Sequence, residues 1–321
     1  MMWLAVEQHQ MADAFKMKLY LRLFFALLVC LGVGVIHGQT YPDGSRDVLL
    51  TATIRLENNG DQDISGYVFR LTVPVDIPHQ QQVLGITSTY TGDVQFLNHP
   101  NQVDRYANAV FDMRRASVAE HEVYFKIRLT PFNYRRDRGN ESTLGNANFL
   151  RATTYVESGA PEITSVAQQI FSAHGNAEQR LIAAFNYPQQ ILDYRNISNK
   201  GALFAIRYGY GDCTEYASLF AAISRAMGYP ARLSSEFNFD SELVTSQPNH
   251  HAAEVFLDGR WIPVDPNLAT DVSSGYGFGQ AAAHKVVLKR DGSWVWAASA
   301  TGMSSSYSNA YIRESVEWSI R

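Results

Sequence analysis

One cysteine, two adjacent histidines and an aspartate stand where they could do covalent chemistry on a carbonyl. Cys213 follows Gly211-Asp212 and opens a predicted helix in which Ala217, Phe220, Ala221 and Ser224 recur at i, i+3, i+4 and i+7. Gly228 supplies its stop. A helix N-terminus offers unpaired N–H groups and a partial positive charge, which favour thiolate over thiol. The same N–H groups can hold an oxyanion while a carbonyl is attacked. A nucleophile of this kind also needs a base, and the base an orienting acceptor. Taken alone, a cysteine at a helix start is equally compatible with buried filler.

The partners come from a predicted hairpin. His251–Leu257 and Arg260–Val264 read as strands joined by Asp258-Gly259, a strong two-residue turn signal. Such a turn sets Leu257 opposite Arg260 and therefore Asp265 opposite Ala252. His250 then shares a face with Asp265, one diagonal step away, within reach of a side-chain contact. His251 points to the other face. A three-residue loop would exchange the two histidines, and Asp265 before Pro266 could also be a plain turn residue.

Three blocks occur in order around these residues. The first is Gly201-Ala202-Leu203 with Gly211-Asp212-Cys213-Thr214-Glu215-Tyr216-Ala217-Ser218-Leu219-Phe220. The second is Arg225-Ala226-Met227-Gly228-Tyr229-Pro230-Ala231-Arg232. The third runs from His250 through Glu254-Val255 and Asp258-Gly259-Arg260-Trp261 to Val264-Asp265-Pro266. Over residues 165–267 the chain resembles the core of the transglutaminase-like superfamily. The resemblance implies a papain-like thiol fold with Cys213 as nucleophile, His250 as base and acid, and Asp265 as orienter. That family spaces its histidine four residues before the Glu, which selects His250 over His251. It commonly carries Trp two residues after the histidine, where this chain has Ala252. The departure concerns the pocket wall rather than the three residues.

The elements that must position these groups follow from the rest of the chain. At 321 residues, a prior of roughly 100–200 residues per domain allows two or three units. Hydrophobic residues make up 46% and charged residues 18%, which excludes disordered, collagen-like and disulfide-dense classes. A net charge of −4 argues against a nucleic-acid partner. Residues 1–38 read as a secretory signal: Lys16, Lys18 and Arg22, the apolar run Leu23–Ile36, and small Gly38 before a cut at Gln39. Residues 1–16 are an upstream extension, since Met17 would start an ordinary signal. The run is shorter than the roughly 20 residues a membrane helix needs, so no stable membrane span is expected after its removal. Cys30 leaves with the signal, so the exported chain (periplasmic or secreted) keeps one thiol, Cys213, and no internal disulfide.

The expected fold class is α+β, a papain-like transglutaminase core preceded by an all-β immunoglobulin-like sandwich. The sandwich is assigned to residues 41–135, where the rows from Val48 to Leu56, Tyr67 to Val75, Ala107 to Met113 and His121 to Leu129 are apolar at every second position. This region also resembles the N-terminal domains of exported bacterial members, most closely over Pro74–Gln82. Residues 136–160 are assigned as linker, with the polar cluster Arg135 to Asn140 at its start, and 161–321 as the catalytic domain. Within that domain Thr164 is expected to cap a helix to Ala173. Asn176 is expected to cap another over Ala177–Phe185, stopped by Tyr187-Pro188. The last 50 residues, with Trp294, Trp296 and Trp318, are expected as further strands. Glu215 reads as a helix-surface group, Glu254 as a strand-pairing one, and Arg232 as a cap or pair near the site. Asp61 and Asp63 lack the spacing of a calcium loop, so neither metal nor cofactor is expected.

The chemistry expected is attack on an amide carbonyl, giving a thioester on Cys213 and a released amine. An amine acceptor makes the reaction transamidation; water makes it deamidation or peptide hydrolysis. The expected partner is a protein or peptide substrate. The alternatives are a cysteine peptidase acting on extracellular or cell-wall peptides, and a catalytically silent binding or scaffold protein.

Overall fold

Alternation of Val48, Leu50, Ala52, Ile54 and Leu56 builds β1 (Arg46–Asn58), which buries all five side chains. In this computed structural model the described residues are 41, 43–137, 146–300 and 311–321. The expected signal, with Cys30, and Arg138, Gly139 and Asn140 of the polar cluster lie outside the described residues. After β1 come β2 (Ile64–Val73), β3 (Gln81–Ser88), β4 (Val94–Asn98), β5 (Arg105–Met113), β6 (Ser117–Leu129) and the short β7 (Phe132–Asn133). The helical stretch holds α1 (Pro161–Ala173), α2 (Ala177–Ile191), β8 (Asp193–Tyr194), α3 (Ala202–Tyr208), β9 (Tyr210–Gly211) and α4 (Cys213–Ala226). Strands follow again: β10 (Ala231–Asn238), β11 (Leu243–Thr245), β12 (His250–Leu257), β13 (Arg260–Val264), β14 (Gln280–Ala281), β15 (Lys285–Arg290), β16 (Trp296–Ala300) and β17 (Ile312–Ile320).

Two antiparallel sheets, ordered β11-β17-β1-β6-β3 and β16-β2-β5-β4, share one hydrophobic core that includes Leu50, Phe69, Phe125 and Trp318. A third sheet, β13-β12-β10-β15, packs Ala253, Val255 and Val264 against the helices. Phe237 of β10 and Val286 and Leu288 of β15 belong to the core of the first two sheets. The third sheet is thus shared between both cores. Helix α4 runs through the second core, with every residue from Thr214 to Arg225 buried. Burial all round is what a central helix requires, beyond the single apolar face expected of it. Among the described residues no helix is long and apolar enough to cross a membrane.

The fold differs from expectation at four places. The C-terminal strands do not stay with the domain assigned from residue 161: β17 pairs with β1 and β16 with β2. Their apolar rows, Ile312, Val316, Trp318 and Ile320, fill the sandwich core instead. The stretch assigned as linker is anchored to the helical core, with Phe149 and Val156 buried and Arg260 donating to the carbonyls of Tyr134 and Asp137. Helix α1 starts at Pro161 rather than after Thr164, whose hydroxyl donates to the Pro161 carbonyl at 3.1 Å. A proline at the first helical position needs no N–H partner. Asn176 caps α2 as expected, accepting from the Gln179 N–H at 2.9 Å. The helix nevertheless continues through buried Pro188 to Ile191.

Candidate active site

The start of α4 is held by a reciprocal cap. Asp212 Oδ1 accepts the Thr214 N–H at 2.9 Å, and Glu215 Oε2 accepts the Asp212 N–H at 3.1 Å. Glu215 Oε1 also accepts the N–H groups of Lys200 and Gly201 at 2.8 and 3.2 Å. Glu215 is fully buried and not a surface group; burial raises its pKa and the three N–H donors oppose the rise. Gly211 makes the cap possible, because a Cβ there would lie 2.3 Å from that of Glu215. Cys213 therefore sits, partly exposed, at the first position of a rigidly fixed helix. Its own N–H has no acceptor within the helix.

The hairpin has the two-residue turn. Asp258 and Gly259 take φ of +52° and +82°, as a type I′ turn requires. Leu257 pairs with Arg260 and Ala253 with Val264. Continuing that register brings His250 and Asp265 together, with Nε2 and Oδ2 2.8 Å apart and both side chains buried. Asp265 Oδ1 accepts the Leu268 N–H at 2.9 Å, so both carboxylate oxygens are engaged. The Cys213 side chain lies close enough to the same imidazole to favour its charged form. The three residues singled out in the sequence are thus contiguous.

Electrostatics separate the two histidines. Burial pushes His250 down, but the Asp265 carboxylate more than reverses this and holds it at about 10. Burial of Asp265 is likewise overcome by His250, which keeps that carboxyl below its usual range. His251 points away, its Nδ1 3.1 Å from Ser235 Oγ. Burial and then the charge of Lys289 depress it to about 4. It is neutral where His250 is charged.

Several groups around the site escaped the sequence reading. Glu236 lies directly across the β10–β12 ladder from His250. Its Oε1 accepts from Lys285 Nζ at 2.9 Å and from Ser234 Oγ at 2.6 Å. Tyr194 pairs across β8 and β9 with Gly211, and burial followed by the charges of Cys213 and Asp212 raises its phenol. Neither contact has a local sequence signal. Arg232 does pair near the site: its Nε is 2.5 Å from Glu254 Oε2, and its guanidinium lies 3.9 Å over the Trp261 ring. Glu254 is more than a strand-pairing group, since Arg290 Nε also reaches it, at 3.2 Å. Burial raises Glu254, and the two guanidinium groups overturn that and hold it at about 2. Arg290 in turn binds Asp104, which precedes β5, at 3.2 Å. Ala252, fully buried, occupies the position where the resemblance suggested tryptophan. Among the described residues no group of three or more His, Cys, Asp or Glu could hold a metal ion.

Residues 164–266 match the profile of the transglutaminase-like superfamily. No curated protein matches the chain. Among solved structures, a candidate cysteine protease from Cytophaga hutchinsonii is similar at 14% identity and a TM-score of 0.56, over 86% of this chain and 90% of that one. The periplasmic domain of TgpA from Pseudomonas aeruginosa, bound to ethylmercury, matches at 14% identity and a TM-score of 0.33, over 66% and 88% of the two chains. A candidate protease from Parabacteroides distasonis matches at 14% identity and a TM-score of 0.30, over 79% and 49%. The Cytophaga structure shows that the fold extends across both cores. With the helix-borne cysteine, the hairpin and the matched profile in agreement, residues 164–266 of this chain form a transglutaminase-like domain.

Proposed function

We propose that this protein is an exported thiol enzyme that attacks amide carbonyls through Cys213, with His250 as proton carrier and Asp265 as its orienting acceptor. The single observation that carries the reading is the buried His250–Asp265 pair, 2.8 Å apart, on an imidazole whose charged form Cys213 also favours. Because Nε2 of His250 is engaged by Asp265, Nδ1 is the nitrogen left to exchange a proton with the thiol. An imidazolium beside sulfur favours the thiolate that attacks. The carbonyl oxygen then becomes an oxyanion at the N-terminus of α4, where the Cys213 N–H can donate. Collapse of that intermediate breaks the C–N bond, and the His250 proton goes to the departing amine. The thioester left behind is resolved by water or by a second amine, with neutral His250 taking the proton of whichever attacks.

Hydrolysis and transamidation share every step up to the thioester. The test is to offer a mixed peptide pool with a labelled primary amine to the full exported chain and to its Cys213→Ala variant. Cysteine-dependent cleavage, deamidation or amine incorporation supports the reading and identifies the acceptor. Absence of all three, together with Cys213 that reacts with iodoacetamide only after unfolding, would overturn it in favour of a binding or scaffold role. N-terminal sequencing of the secreted form tests export; a mature chain starting at residue 1 or 17 would refute the assigned signal.

A further inference from the structure

The sandwich carries a feature that the chemistry at Cys213 does not use. Its sheets end side by side at β3 and β4, the edge strands of the two sheets, and between them runs an apolar slot of about 200 Å³. That exceeds the roughly 150 Å³ of an apolar cavity known to hold benzene. Its origin is visible in the pairing. The inward row of β2 is Phe69, Leu71 and Val73, but β5 sets only Ala109 and Ala107 opposite the first two. Small side chains leave the floor unfilled. On β4 the same rungs carry Val94 and Phe96, and with Ile86 of β3 these line the slot while remaining 37%, 41% and 37% exposed respectively.

The two ends of the slot differ. At one end Tyr90, Phe111 and His121 pack together, with ring centroids 4.6 to 5.4 Å apart. Burial keeps His121 below its ordinary value, which disfavours a positive charge at this end. The carboxylates of Asp112 and Asp93 lie near Tyr90 and disfavour an anion there. At the other end the row Phe111, Ala109, Ala107 continues along the same strand face to Arg105, paired with Val73 and Asn98. Its guanidinium sits 5.6 Å over the Phe96 ring. Among the described residues Arg105 has no ion pair. From Ala107 to Phe111 the strand rises about 14 Å, a distance suited to a medium-length alkyl chain rather than a compact ring.

We infer that this slot binds one soluble, single-chain anionic amphiphile of the fatty-acid type, its alkyl chain over Ala107 and Ala109 and its carboxylate at Arg105. The aromatic group at the opposite end receives the methyl terminus. No residue of the slot belongs to the Cys213 site, so occupancy does not depend on catalysis there.

Calorimetric titration of the full exported chain with decanoate, and with decanol as the uncharged counterpart, tests this. Decanoate should bind saturably at one site. Ala109→Phe, which fills the slot, should weaken it at least about tenfold without lowering the urea midpoint. If that variant does not fold, Ala107→Leu removes part of the same volume from the neighbouring rung. Arg105→Gln should weaken decanoate by about two- to fivefold, as expected for an exposed charge contact, and leave decanol unchanged. Absence of saturable decanoate binding would overturn the assignment. So would an affinity that both filling variants leave intact, or an equal loss for decanol in Arg105→Gln. Association with phosphatidylglycerol vesicles in the absence of decanoate binding would also overturn it, pointing to a membrane surface instead.

Discussion

His250 and His251 are neighbours in one strand, and the two faces of β12 treat them oppositely. Burial works against charge on both. On one face a buried carboxylate stands 2.8 Å away and reverses the effect; on the other the nearest partner is a serine hydroxyl, and Lys289 adds a repulsive charge. One ring is therefore held as imidazolium at about 10 and the other as neutral imidazole at about 4. The difference teaches that a partner, not depth, decides which histidine is held charged. Adjacent residues with identical chemistry acquire distinct environments because a strand alternates its faces.

Exchanging the two histidines for alanine should break the comparison most sharply. His250→Ala should reduce amide turnover by several orders of magnitude, on the scale of about 10⁴, while His251→Ala stays within about tenfold. The comparison needs turnover measured on variants of matched thermal stability; a dead His251→Ala beside a live His250→Ala would reverse the assignment. Glu254→Gln touches neither ring but leaves Arg232 and Arg290 as buried cations without their shared anion. It should cost about 3–5 kcal/mol in urea unfolding, so a stability near that of the parent would show the pair to be solvated. Asp265→Asn should lower turnover less than loss of the ring does, and it should let His250 behave like its neighbour. Without the carboxylate burial is opposed only by Cys213 and Glu236, so an imidazole proton titration should move down from about 10.

The smallest effect expected is on stability against pH, with the two rings acting in opposite windows. His250 binds its proton more tightly folded than unfolded, so its contribution is complete below 6.5 and is lost as pH rises through about 10. His251 binds its proton more weakly folded, so its contribution is present above 6.5 and is lost as pH falls toward about 4. Urea midpoints of the two alanine variants across pH 4 to 10 should flatten opposite limbs of the curve. Loss of the same limb in both would mean that the rings share one environment.

The candidate site was legible because its signals are local. Asp258-Gly259 sets the turn, the turn sets the register, and the register puts His250 rather than His251 beside Asp265. The cap at Asp212 was legible too, as an acid followed three residues later by Glu, yet Glu215 reads as a surface group unless that pattern is noticed. Glu236 and Lys285 are 49 residues apart in the chain and meet only because β15 pairs with β10. The end of α2 misleads for another reason: Pro188 is a breaker by itself, but Leu181, Ala184 and Phe185 bury the same helix and carry it past that point. In the sandwich, alternation predicts which faces are buried but not whether two alanines on one strand leave them filled. That depends on how closely the edge strands approach, which period two does not encode.

The pairing of β1 with β17 has a consequence for how the chain is made. β1 is synthesised early, and one of its two neighbours, β6, follows within about a hundred residues of chain. Its other neighbour is available only once residue 320 has been made. Until then the strand has an unpaired edge, and Trp318 is missing from the core it will fill. Contacts this distant in sequence close slowly. The sandwich therefore cannot finish folding as an independent first domain while the rest is still being synthesised, and the growing chain must keep a sticky edge out of intermolecular pairing for most of that time.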